Sequence, residues 1–170
     1  MNNLFWRIVA LMVTQPRIAS ALISHAQRTP YTHIMSADGS DCYMGRWWLF
    51  NPYPSSGAAK NFGWGWLPSV RIHHIMREDQ DRDLHDHPWN ARTIVLRGWY
   101  TERRLGTGQT IFTRMTGYTG RLLFGQYHQI VAVSEGGVWT CFVTWKYRGT
   151  WGFLVDGNKV PWREYLGVKE

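Results

Sequence analysis

The chain has little cysteine, no long apolar run and few acids outside one short stretch, and each shortage excludes something. Cys42 and Cys141 are the two cysteines in 170 residues. They stand far apart and outside any C-x-x-C spacing, so neither a disulfide framework nor a zinc knuckle is indicated, and a reducing cytoplasmic setting is expected. No apolar stretch approaches the roughly 20 residues of a membrane span. The segment Leu4 to Val13 is apolar on most sides but short, and Arg7 interrupts it. No basic residue precedes it, which fits neither a transmembrane segment nor a signal peptide. The expectation is a helix packed on the domain or on a second copy, in preference to an interfacial membrane anchor. There is no G-x-S-x-G, no P-loop and no internal repeat. An H-x-D…H facial triad is excluded because His87 stands where its aspartate belongs.

Charge is uneven. The formal net charge is +7, yet Glu78, Asp79, Asp81, Asp83 and Asp86 gather five of the 12 acidic residues into one short stretch. The remaining surface is therefore more basic than the total implies, and suits anions. A nucleic-acid partner is compatible with this but not favoured, because the basic residues are scattered and form no run. The acidic stretch itself reads as solvated.

What the chain does have is aromatic and glycine content. With 11 Trp, 17 Gly and 15% aromatics, it suits twisted strands and tight turns, so the class is mainly β. The length suits one domain: a helical segment over 1–29 and a β domain over 30–170. Helical patterns cover Asn3 to Val13 and Pro16 to Gln27, with Pro16 in a first helical turn. Tyr31 to Ser36 and Cys42 to Phe50 flank an Asp-Gly turn at Asp38-Gly39. Asn51 to Pro68 reads as a long loop, either covering a pocket mouth or flexible. Strands are then expected over Val70 to Arg77, Arg92 to Arg97, Trp99 to Arg104, Thr110 to Met115, Arg121 to Phe124, Gln126 to Val133, Val138 to Trp145 and Trp151 to Val155. A helical turn is expected within Val160 to Leu166.

The richest motif is Leu84-His85-Asp86-His87-Pro88-Trp89, at the expected start of a strand. Residues i and i+2 on a strand share a face, so one metal ion can meet both rings, while Asp86 points the other way. His128, on another expected strand, is the best third ligand. Three neutral imidazoles with open positions suit Zn, Fe, Ni, Cu or Mn.

These residues resemble the cupins, small jelly-roll β-barrels. The first cupin motif, G-x5-H-x-H-x3,4-E-x6-G, meets His85, His87 and Gly98. The second, G-x5-P-x-G-x2-H-x3-N, meets Gly117, Gly125 and His128. Asp79 replaces the opening glycine, Leu123 the proline and Ala132 the asparagine. The glutamate ligand is missing, since Ala91 holds its position, or Arg92 by the longer spacing. The stretches around His73-His74, Trp151-Gly152-Phe153 and Val160 to Leu166 also resemble small uncharacterised cupin-like proteins of bacteria and phages, which implies no reaction. The resemblance implies one cupin-type jelly-roll barrel with an N-terminal helical appendage. It also implies one divalent transition metal (Fe, Zn, Ni or Mn) on His85, His87 and His128, as in the three-histidine thiol dioxygenases, unless the metal has been lost.

Other candidates follow from strand alternation. Either His73 or His74 faces inward, as a pocket or catalytic residue or a core histidine. Arg97 joins Ala91, Thr93 and Val95 on the inward face, whereas Arg92 faces out unless a bulge reverses the register. Arg97, Arg92 and Arg71 are candidates to grip an anionic substrate, with Tyr127 and Trp89 as further lining. The leading expectation is a metal-dependent enzyme on a small polar or anionic molecule, with dioxygenase-like chemistry slightly favoured. A sugar epimerase or isomerase would instead use a histidine base with Tyr100 as acid. A non-catalytic binder of a small ligand or nucleotide is the rival class. A homodimer covering the apolar N-terminal helices is also expected.

Overall fold

The structure, a computed structural model, describes residues 3–36, 39–53, 66–106 and 108–168. Two helices open the chain, α1 (Asn3–Val13) and α2 (Pro16–Ala26). The strands β1 (Ile34–Met35), β2 (Cys42–Phe50), β3 (Ser69–Ile75), β4 (Trp89–Arg97), β5 (Trp99–Leu105), β6 (Gln109–Met115), β7 (Thr119–Leu122), β8 (His128–Val133), β9 (Val138–Tyr147), β10 (Gly152–Val155) and β11 (Asn158–Pro161) follow, and α3 (Trp162–Tyr165) ends the described chain. The expected Asp38 of the first turn, residues 54–65 of the long loop and Thr107 lie outside the described residues.

The mainly-β, jelly-roll reading holds. The strands form antiparallel sheets: a six-stranded one ordered β1-β2-β3-β9-β4-β7, and a second layer containing β6-β5-β8 and the β10-β11 hairpin. Single-residue bridges from His85 to His128 and from His85 to Phe153 stitch the two parts of the second layer together. The layers face each other. Ile75, Val95 and Val138 of the large sheet pack on Tyr100 and Ile130 of the other. The outer face of the large sheet carries a separate apolar cluster, in which Trp6, Ala10, Ala19, Ile23 and Ala26 of the helices cover Ile72, Ile94, Leu96, Cys141 and Val143. The large sheet thus has apolar cover on its outer face and a mixed interior on its inner face, as period-2 alternation allows.

The motif glycines have a local reason. Gly98 turns the corner from β4 to β5 at φ 83, and a Cβ there would lie 2.9 Å from the carbonyl oxygen of Gly137. Such a backbone suits glycine alone.

One expectation is corrected. The H-x-H segment precedes β4 and is held by isolated bridges, not by a strand of its own. The helical turn expected within Val160 to Leu166 is α3, which follows the end of β11. The hairpin before it turns through Asp156 and Gly157, both at positive φ, the Asp-Gly signal of a tight hairpin turn.

Candidate metal centre

His85 is fixed by its backbone. It exchanges both amide hydrogen bonds with His128, each 2.9 Å, and its neighbour Asp86 donates its N–H to the Gly152 carbonyl at 3.0 Å. Asp86 faces away from the two rings, as i+1 residues on extended backbone do. Its fully buried carboxylate accepts from the Gly152 N–H at 2.8 Å and from Lys159 Nζ at 2.5 Å. The chain therefore presents His85 and His87 to one side and is anchored by Asp86 on the other.

The ligand atoms of His85, His87 and His128 all lie within 4.8 Å of one another. His87 Nε2 and His128 Nε2 are 2.9 Å apart. Two nitrogens each about 2.1 Å from a shared ion and at right angles to one another are about 3 Å apart, so this spacing fits a common metal. The far sides of two rings face carboxylates. Glu102 Oε2 lies 3.5 Å from His128 Nδ1, and Asp79 Oδ2 lies 3.8 Å from His85 Nδ1, both long for a hydrogen bond. A carboxylate on that side favours the N–H at Nδ1 and leaves the Nε2 lone pair for the centre of the cluster, the tautomer a ligand needs. Burial lowers the His85 ring to about 4 and drives His87 well below the usual imidazole range, so both are neutral donors at neutral pH.

Asp79 is pinned by the Ile130 N–H at 2.7 Å and by the Tyr43 hydroxyl. Glu102 is 1% exposed and pairs with Arg114 Nε at 2.7 Å and Arg104 Nε at 3.0 Å. Burial alone would raise the Glu102 carboxyl. His128, Arg104 and Arg114 outweigh it and bring it to about 2. The sequence reading missed Glu102, because Thr101-Glu102-Arg103-Arg104 looks like a solvated strand. The usable signal was alternation from Tyr100, which sets Glu102 and Arg104 on the same inward face.

Arg71 lies on the inner face of β3, 1% exposed. Its guanidinium is within 4.8 Å of the Trp89 ring centre, 5.4 Å of Trp48 and 5.5 Å of Phe142, and Nε and Nη2 have no hydrogen-bond partner. Trp89 also stacks on His87 with ring centres 6.0 Å apart, and Phe142 stands 5.9 Å from the same ring. Two aromatic walls are thus shared by Arg71 and the histidine cluster. His73 is the inward member of its pair, stacked on Phe142 at 5.0 Å and held well below the usual imidazole range by burial.

Five other candidates lie elsewhere. His74 is on the outer face, stacked on Trp139 with its Nε2 2.9 Å from the Gly136 carbonyl oxygen. Tyr127 is half-buried just before β8, and no ring contact joins it to the histidines among the described residues. Arg97 is exposed and donates to Ser20 Oγ at 3.0 Å, so its expected place in the interior is wrong. The reason is a bulge: Val95 pairs with Thr140 and Arg97 with Trp139, which leaves Leu96 as an extra residue and returns Arg97 to the outer face. Arg92 also lies outside, against the Trp6 ring, and does not take over the role. Tyr100 points inward but sits in the apolar cluster of Ile75, Val95, Ile130 and Val138.

No family model matches the chain, and no curated protein matches it. Among solved structures, oxalate decarboxylase of Bacillus subtilis, described for its Mn(II) centres, is similar at a TM-score of 0.52 and 12% identity, over 82% of this chain and 32% of that one. HppE in its FeII form with substrate gives 0.49 and 12%, over 71% and 58%. The chain spans about a third of the oxalate decarboxylase it matches. At such identity the likeness is one of fold, and the fold is the cupin fold.

Proposed function

We propose that this cupin barrel binds one divalent transition metal through His85, His87 and His128 and acts there on a small anion held by Arg71. The observation that carries the reading is the pairing of three converging imidazoles with a buried, under-bonded guanidinium across two shared aromatic walls. An isolated charge in such a place is costly unless an anion meets it. No ion pair reaches Arg71 among the described residues. Manganese in the oxalate decarboxylase neighbour makes Mn one of the ions to test, beside Fe, Zn and Ni.

When bound, the ion supplies a Lewis acid with open positions for a substrate oxygen or for dioxygen. The chain's own residues do the rest. Asp79 and Glu102, 3.8 and 3.5 Å from Nδ1 of His85 and His128, bias those rings toward the Nδ1–H tautomer. Trp89 and Phe142 keep water from the space between cluster and cation. Arg71 offers a flat donor fork that fixes a carboxylate or phosphonate in one orientation. A non-catalytic binder on the same site is the second reading. Ala91, 1% exposed and packed with Leu122 and Phe142, supports it, because no carboxylate ligand stands at that position.

Protein purified without a chelating tag should carry about one transition-metal ion per chain by elemental analysis. A folded His85→Ala/His87→Ala variant should carry almost none, and unchanged stoichiometry would reject the site. Turnover of small carboxylates by the loaded protein, against binding without turnover, then separates the two readings.

A further inference from the structure

Outside the barrel, one helix face and one cavity remain unused by the metal centre. On α1, Trp6 and Ala10 are buried and Val9 and Val13 pack beside them. At 100° per residue the opposite side carries Leu4, Phe5, Ile8, Leu11 and Met12, which are 50–65% exposed. Five large apolar side chains on one short helix are more than scattered surface residues.

Directly beside this face is a cavity of about 220 Å³, lined by Asn3, Arg7, Arg92, Thr119, Gly120 and Arg121. Three of its six lining residues are arginines and none is acidic. Arg92 and Arg121 are direct cross-strand partners on β4 and β7, an arrangement of like charges that costs stability. Arg92 is 3% exposed and held in place by Thr119 Oγ1 at 3.1 Å and Asn3 Oδ1 at 3.3 Å, so one guanidinium of the three is built into the wall. Arg7 falls on the flank of α1 between the buried and the apolar sides, facing the cavity. Residues 1–37 hold Arg7, Arg17 and Arg28 and no acid at all.

We infer that α1 lies on an anionic phospholipid surface, with its apolar side among the acyl chains and a headgroup phosphate in the cavity of Arg7, Arg92 and Arg121. A phosphate satisfies clustered guanidinium groups that have no carboxylate of their own. A second copy of the chain is a poorer occupant of the same face. A two-fold contact would set this arginine-rich, acid-free edge against itself. No single described helix is long and apolar enough to cross a bilayer; α1 and α2 pass that test only as a pair bent by 86°, and both pack their buried sides on the sheet, which suits a helix lying on the surface.

The test is vesicle flotation of the full chain, with phosphatidylcholine alone and with phosphatidylglycerol added. The protein should float with the anionic vesicles, lose this in high salt and stay behind with the neutral ones. Leu4→Ser/Ile8→Ser/Leu11→Ser should weaken partitioning by more than about tenfold. Arg7→Gln/Arg121→Gln should weaken it about fivefold per charge removed. All five positions are exposed, and unfolding midpoint and metal content should match the parent chain. Absence of flotation on anionic vesicles overturns the proposal. Equal flotation on neutral vesicles overturns the headgroup assignment. If the chain instead dimerises by light scattering, the triple-serine variant is monomeric and vesicles do not bind, the occupant is a second copy. If inorganic phosphate stabilises the parent chain but not the double-glutamine variant, and vesicles again do not bind, the ligand is free phosphate and no membrane is involved.

Discussion

Arg71 and Arg92 sit on opposite faces of the same six-stranded sheet, and both are almost wholly buried. Arg92 is bonded to Thr119 and Asn3 and covered by Trp6. Arg71 has aromatic rings around it and two nitrogens without partners. The same residue type at the same depth is therefore tied into the structure on one face and left with free donors on the other. Stability is built on the outer face, between sheet and helices. The interior between the two sheets gives some of that up, keeping neutral His73, His85 and His87, a buried Glu102 and an arginine with two unbonded nitrogens where apolar packing would be more stable.

The comparison breaks most visibly through the outer core. Ile94, 1% exposed beneath the helices, should cost about 2–5 kcal/mol when replaced by alanine, measured by denaturant unfolding, with metal content unchanged. A loss of metal at equal stability would mean that the two faces are not separable. The next effect is on the other side. Arg71→Met keeps the length of the side chain and removes the charge, so the unfolding midpoint should hold or rise while affinity for malonate falls about tenfold or more. Lower stability with malonate binding intact would make Arg71 a structural residue like Arg92.

The smallest effect is a pH slope. Burial, then Arg71 and Arg46, lowers the His73 ring in the folded chain. The folded state thus holds fewer protons than the unfolded one. Its contribution to stability is complete above the unfolded value of about 6.5 and is lost as pH falls from there through the folded value. His73→Phe should make unfolding midpoints less sensitive to acid below that pH. The change is partial, since His85 and His87 titrate in the same direction. An unchanged slope would place His73 in contact with water.

Much of this was readable in the sequence, and the gaps have physical causes. Period-2 alternation and glycine turns located most strands, and the i, i+2 spacing put His85 and His87 on one side. Local rules failed where a distant partner decides the outcome. One extra residue at Leu96 turned Arg97 outward, and nothing in Arg92 to Arg97 announces a bulge. Glu102 belongs to no motif and was passed over, because its partners, Arg114 and His128, come from other strands. The acidic stretch looked solvated as a whole, yet Asp86 is buried by Gly152 and Lys159, and Asp79 by Tyr43 and Ile130. The Asp156-Gly157 hairpin was missed although the same dipeptide was read as a turn signal at Asp38-Gly39.

The anchoring of Asp86 by Gly152 and Lys159 sets an order of events during synthesis. His85 and His87 leave the ribosome well before the β10-β11 hairpin (residues 152–161) that clasps the segment between them. At ~5–20 residues per second, several seconds separate the two. Throughout that interval the nascent chain carries two histidines with no fixed geometry, and a truncated chain ending before residue 152 never acquires it. The centre is encoded at residues 85–128 but depends on residues 152–159, so it matures only after the later hairpin has been made.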